Sequence, residues 1–155
     1  MAEIETSQLV VFALDDQRYA LRLSAVDRVA RMVHVTALPK APDIVTGIVN
    51  VQGRIVPVVN VRRRFGLPER PAPSLTDRLV LAHTTRRPVA LVADAVAGVL
   101  EYSEQEVVET ERIVPNVGYI EGVAKLKDGL ILIHDLDQFL SLEEEGQLEQ
   151  ALSPA

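Results

Sequence analysis

The chain has no cysteine. That excludes a disulfide framework, thiol chemistry and any cysteine-ligated metal. Tryptophan is also absent, and three tyrosines and three phenylalanines supply all the aromatic content, too few for the stacking platforms of a single-strand nucleic-acid binder. Positive charge is in deficit: 16 Lys and Arg against 22 Asp and Glu leave a net charge of −6, which argues against a protein held by phosphate contacts. No apolar run reaches the roughly 18 residues that a membrane span needs. The opening MAEIETSQ carries acids and no basic region leading into an apolar stretch, so no secretory signal is expected and the cytoplasm is the expected compartment.

Catalytic patterns are missing as well. His34, His83 and His134 are far apart and lack ligand spacing, so no metal site is expected. None of the six serines lies in a G-x-S-x-G elbow or is followed by S-x-x-K, and Gly47 and Gly53 fit no phosphate-loop pattern. Asp135-Leu136-Asp137 suggests a calcium loop, but the glycine and glutamate of an EF-hand are out of register, which leaves an N-cap and a helix-start acid. Asp15, Asp16 and Asp94 read as turn residues. Arg62-Arg63-Arg64, the one dense basic run, reads as a solvated turn or a contact for a protein partner. No catalytic residue and no cofactor is predicted.

What the chain does have is β-branched residues. Valine and isoleucine total 31 against 19 leucines, within 155 residues that are 48% apolar and 25% charged. This predicts one ordinary soluble domain, or two very small lobes sharing a core, built mainly from strands. Ser7 to Leu14 reads as a buried strand ended by Asp15-Asp16, and the alternation Tyr19, Leu21, Leu23 as its hairpin partner. Gly47 to Val61 reads as two strands about a Gln52-Gly53 turn, with an edge or bulge at Pro57. A helical turn over Arg62 to Phe65 ends at Gly66. The proline-rich Pro68 to Ser74 is the most obvious internal boundary. Two further hairpins are expected, around Thr84-Thr85-Arg86 and Lys127-Asp128-Gly129, while residues 103–119 carry no clear pattern. Asp135 is placed to cap a short helix running to about Leu142. Residues 143–155, EEEGQLEQALSPA, read as an acidic, frayed or disordered tail.

The two halves resemble each other. At an offset of 70, Leu9, Val10 and Val11 match Leu79, Val80 and Leu81; Ala20-Leu21 matches Ala90-Leu91; Val26 matches Val96. Further on the offset is 75, with Gly47 matching Gly122 and Asn60-Val61 matching Asp135-Leu136. The expected fold is all-β with one or two short helices: two small five-stranded, SH3-like partly open barrel lobes about a shared hydrophobic core. Such a protein, with edges and apolar surface available, suits protein partners.

The segment Gly47 to Gly66, GIVNVQGRIVPVVNVRRRFG, resembles the signature of the CheW family: a glycine (Gly47), an N-x-R-G-like turn (Asn50, Gly53), a P-V strand (Pro57-Val58) and a [DN]-[LV] helix start (Asn60-Val61). LVVFALDDQRYALRLSAVDRV, RPVALVADAVAGVLEYSEQEV and YIEGVAKLKDGLILIHDLDQFL are similar to the family's other hairpins and final helix, with Asp94 in the usual aspartate position. Four motifs in order cover residues 8–142, which implies a single CheW-like domain of two β lobes. The resemblance implies a non-catalytic cytoplasmic adaptor that couples the cytoplasmic tips of chemoreceptors to the regulatory domain of a CheA-type histidine kinase, and that reaches the membrane-associated array through those partners without inserting. It places the receptor-facing surface near Val26, Arg28, Gly47, Asn50, Gln52 and Gly53, with Gly47 and Gly53 serving backbone geometry, and kinase contacts on apolar edges of both lobes. Two positions depart from the family. Gln52 stands where arginine is usual, and Arg28 where glutamate is frequent, so a pair that can attract has not simply been swapped. Arg28 then needs an acidic partner elsewhere, and service in a non-standard array is implied. The alternative reading from the residues is a small-ligand-binding β domain using a groove between the lobes.

Overall fold

The computed structural model describes residues 6–70, 74–103, 107–109, 120–126 and 129–153. Eleven strands and two α-helices are described: β1 (Thr6–Leu14), β2 (Gln17–Arg22), β3 (Val26–Arg31), β4 (Val45–Val51), β5 (Arg54–Val59), α1 (Val61–Phe65), β6 (Arg78–His83), β7 (Pro88–Ala93), β8 (Ala95–Ser103), β9 (Val107–Glu109), β10 (Ile120–Leu126), β11 (Gly129–His134) and α2 (Leu142–Leu152). The first lobe is a six-stranded sheet in the order β8-β1-β2-β11-β10-β9; the second is five-stranded, β3-β6-β7-β5-β4. The short β9 is the addition that makes the first sheet six-stranded.

The internal repeat governs this topology. Adding 70 to β1, β2 and β3, and 75 to β4 and β5, turns β3-β6-β7-β5-β4 into the strand order β8-β1-β2-β11-β10. The irregularities agree too. The register slips between Val26 and Arg28 opposite β6, and between Val96 and Gly98 opposite β1. It slips again between Val45 and Gly47, and between Ile120 and Gly122. Each bulge has its counterpart at the same repeat position, so these are features of the design and not local accidents.

The halves do not form one lobe each, however. β1 and β2 belong to the first sheet, the chain then builds β3 to β7 in the second, and β8 returns to pair with β1. Each repeat therefore sends its third strand to the lobe that holds the other repeat's opening hairpin. The proline-rich connection that marked a boundary in the sequence joins α1 to β6 within a single lobe. At Pro57, β5 pairs with β4 alone and its parallel ladder with β7 begins at Val58, so the missing N–H falls before the second ladder.

Both faces of the central strands are buried, which is why they read as continuous apolar runs. Leu9, Val11, Ala20, Ala124, Ile131 and Ile133 fill the first lobe with Tyr102. Their repeat counterparts Leu79, Leu81, Ala90, Val49, Val56 and Val58 fill the second. The alternate residues, among them Phe12, Leu14, Tyr19, Leu21, Val80, Val89 and Leu91, meet between the sheets in a shared core. Phe65 of α1 closes it by stacking on Tyr19 and His134, with ring centroids 4.8 and 4.1 Å apart.

The C-terminal segment differs from expectation. Asp135 caps only a 3₁₀ turn, Leu136–Gln138, and residues 142–152 of the supposed tail form α2. The cause is a capping box: Ser141 Oγ accepts from Glu144 N (3.1 Å), and Ser141 N donates back to Glu144 Oε1 (2.8 Å). Leu148 is fully buried in the shared core. Glu144 and Glu145 accept from Arg64 and Arg87. Three consecutive acids in the first turn also suit the positive end of the helix.

Candidate functional site

At one end of the second lobe lies a groove of about 260 Å³ lined by Asp27, Arg28, Val51, Gln52, Arg54, Val56, Leu81, Ala82, Pro88 and Val89. Its floor is apolar and its rim is polar. The bulge in β3 pairs Arg28 with Leu81 of β6; the β4–β5 turn brings Gln52 and Arg54. Arg28, Gln52 and Arg54 are all exposed, and Asp27 is held by His83 at 2.8 Å. Thus Arg28 and Gln52, 24 positions apart in the chain, share one groove.

The other predicted residues do not line this groove. Val26 is half-buried on β3 and packs against the shared core. Asn50 Oδ1 accepts from Gly53 N at 2.9 Å, fastening the turn. Gln52 and Gly53 both have positive φ, 51° and 84°, as a two-residue hairpin turn of the primed type requires. Gly47 has a different duty. A Cβ there would stand 2.3 Å from Thr36 O, where the loop before β4 is pinned by Thr36 N donating to Ile48 O (2.8 Å) and Ile48 N to Thr36 O (2.7 Å).

Between the lobes, a partly buried ion network went unread in the sequence. Asn60 Oδ1 caps α1 by accepting from Arg63 N, and this orients Arg62 into the lobe junction. Its guanidinium donates to Asp15 in the β1–β2 turn (2.9 and 3.1 Å), to Asp94 between β7 and β8 (2.8 Å) and to Pro68 O (3.0 Å). Arg70 adds a bond to Asp94 and another to the buried Asp77, each 2.8 Å. Burial pushes the Asp94 carboxyl up, but the bond from Asp15 N and the nearby Arg62 and Arg70 outweigh it and hold the group below the usual carboxylate range. The bond to Asp15 likewise raises Arg62 above its ordinary value. Arg63 pairs with Glu69 and Arg64 with Glu144, so the basic run is not a solvated turn. The missed signal was the spacing itself: an arginine two residues after a helix cap, with aspartates in turns of both repeats.

The strand surfaces complete the picture. Val29 on β3 and Ile55 on β5 are 40% and 52% exposed; their repeat counterparts Val99 and Leu130 are 57% and 51% exposed. Apolar side chains thus face solvent at matching places on the two lobes. The structure is thus two related β lobes latched about one core, with an open groove on the second lobe.

The comparisons specify which kind of two-lobed protein this is. Residues 8–144 match the family model for the CheW-like domain. The chain is 27% identical over 149 residues to the chemotaxis protein CheW of Treponema pallidum, covering 93% of this chain and 88% of that one. It is also 27% identical over 139 residues to CheW of Rhizobium meliloti, covering 88% and 89%. The crystal structure of the scaffolding protein TtCheW from Thermoanaerobacter tengcongensis superposes with a TM-score of 0.81 at 28% identity, over 90% of this chain and 96% of that one. The chain belongs to the CheW family of chemotaxis scaffold proteins.

Proposed function

We propose that this chain is a non-catalytic adaptor that couples chemoreceptor tips to a CheA-type histidine kinase. It would act in the cytoplasm, held at the receptor array through those partners. The observation that carries the reading is the match of residues 8–144 to the CheW-like domain; Val29 and Ile55 on one lobe and Val99 and Leu130 on the other add exposed apolar contacts at equivalent places. Among the described residues no helix is long and apolar enough to cross a membrane. The receptor-facing surface in this reading is the groove of Arg28 and Gln52, with Val26, Gly47, Asn50 and Gly53 on the strands and turn that carry these two residues. Arg28 where the family often has glutamate, with the neutral Gln52 where it usually has arginine, supports service in a non-standard array. A small-ligand reading draws less support, since the junction between the lobes, where it puts its ligand, is filled by the shared core and by Arg62 bonded to Asp15 and Asp94.

The test is reconstitution of the purified chain with the kinase and receptor encoded in the same genome, following kinase phosphorylation. Added wild-type protein is expected to raise receptor-coupled phosphorylation, and Ile55→Asp or Leu130→Asp to abolish the increase while the protein stays folded. No change on adding the wild-type chain would overturn the reading.

A further inference from the structure

The repeat allows the groove to be compared with the same place on the other lobe. Arg28 corresponds to Gly98, and Arg54 to Gly129. Where the second lobe has Pro88, the first has Arg18, whose guanidinium lies 3.2 Å from the position a Cβ on Gly129 would take. One lobe mouth is thus flanked by two outward arginines over an apolar floor; at the other, glycines replace them and a single arginine from β2 lies across.

Several other arginines of the chain are committed to carboxylates. Arg62, Arg63, Arg64, Arg70 and Arg87 each contact a carboxylate at 3.2 Å or closer. Arg28 and Arg54 make no ion pair among the described residues, and the groove's own acid, Asp27, is engaged by His83. Two guanidiniums without a carboxylate thus line one groove, in a protein whose net charge is −6. An arrangement of this kind suits carboxylates from outside, for which arginine offers short, bidentate bonds.

We propose that the groove accepts an acidic amphipathic segment of the receptor-type partner, its apolar side chains on Val56, Leu81 and Val89 and its carboxylates on Arg28 and Arg54. Gln52 between them supplies neutral hydrogen bonding. The inference rests on the adaptor reading for the partner's identity, while the charge selectivity rests on the groove alone. Arg28 and Arg54 are the specificity-determining residues: a partner that offers a basic or neutral edge leaves both arginines unsatisfied.

The experiment has two arms. In the first, the full chain is titrated with the cytoplasmic tip fragment of a chemoreceptor from the same genome. Arg28→Glu and Arg54→Glu are each expected to weaken binding about tenfold or more, and added salt to weaken wild-type binding more than that of Arg28→Gln. Arg86→Glu, a change in an exposed turn outside the groove, is expected to leave binding within about twofold. In the second arm, the probes are three synthetic helical peptides with one leucine stripe flanked by Glu, Gln or Lys. The Glu peptide is expected to bind best, and to lose that advantage with Arg28→Glu. Charge-reversed variants that bind the tip and the Glu peptide as tightly as wild type would overturn the inference even with receptor coupling intact. If the receptor tip fails to bind but the Glu peptide retains its arginine-dependent advantage, the adaptor reading falls and the acidic-segment groove stands.

Discussion

Arg62 and Asp94 meet at 2.8 Å between the two lobes, one from the helix that follows β5 and the other from the corner between β7 and β8. Because Arg62 also holds Asp15 in the first lobe's opening hairpin, a single guanidinium ties three segments of the chain. Arg62→Ala leaves Asp15 without its cation and Asp94 with Arg70 alone. The expected loss is about 2–4 kcal/mol, below the top of the range for buried pairs because Asp15 is half exposed. Urea denaturation followed by circular dichroism measures it.

The same pair gives the fold an acid-sensitive element. In the unfolded chain Asp94 titrates near the ordinary aspartate value of about 3.9; in the fold it is held lower. The stabilisation is fully present above that ordinary value and is lost as pH falls through the lower, folded one. Glu69, lowered mainly by its bond from Arg63, acts in the same direction in the adjoining window. Melting temperatures recorded from pH 6 down to pH 3 are expected to fall less steeply for Asp94→Asn than for wild type, with the variant the less stable of the two at pH 7.

Gly47 and Gly53 separate two uses of glycine in one hairpin. Gly47→Ala drives a methyl into Thr36 O and must break the bridge that pins the loop before β4, at a cost of about 1–3 kcal/mol. Gly53→Ala meets open space and bears only the left-handed backbone cost of about 1–2 kcal/mol; Gly53→Asn, tolerant of that conformation, is expected to lie close to wild type. Thermal denaturation of the three variants orders them.

α2 is expected to contribute to stability although it reads as a tail. Leu148→Ala empties part of the shared core and is expected to cost about 2–4 kcal/mol. Ser141→Ala removes the cap for about 1 kcal/mol, and deletion of residues 142–155 is expected to exceed either. Chemical denaturation resolves these values, and far-UV circular dichroism the lost helix.

Hairpins and lobe cores were legible because strand alternation is local: Tyr19 and Leu21 against Arg18 and Arg22 declare a face within a few residues. The repeat was legible for the same reason, since Leu9, Val11 and Ala20 must be matched by Leu79, Leu81 and Ala90 if both lobes are to be filled. The lobe to which β3 belongs was not, because pairing Arg28 with Leu81 is a choice between distant partners that the pattern along β3 leaves open. The arginine run misled because charge density says nothing of burial; only the fold sets Asp15 and Asp94 beside Arg62. In α2 the signal was present, Ser141-x-x-Glu144 followed by Leu148 and Leu152, and the acidic composition obscured it. At the site, the residue types of the β4–β5 turn were readable, whereas Arg54 as a second groove cation emerges only when the turn is folded toward β3.

The crossing of β3 and β8 bears on what the molecule is as an assembly. Neither half of the sequence contains the strands of one complete lobe, so expressing β1 to α1 alone leaves an opening hairpin without its flanks and three strands without a hairpin. Two copies of such a half, however, hold everything both lobes require, each lending its third to fifth strands to the hairpin of its neighbour. In its wiring the protein is a domain-swapped dimer made covalent, two subunits fused end to end between α1 and β6. Within one chain the two mouths differ, glycines at one and arginines at the other, as those of two identical subunits cannot.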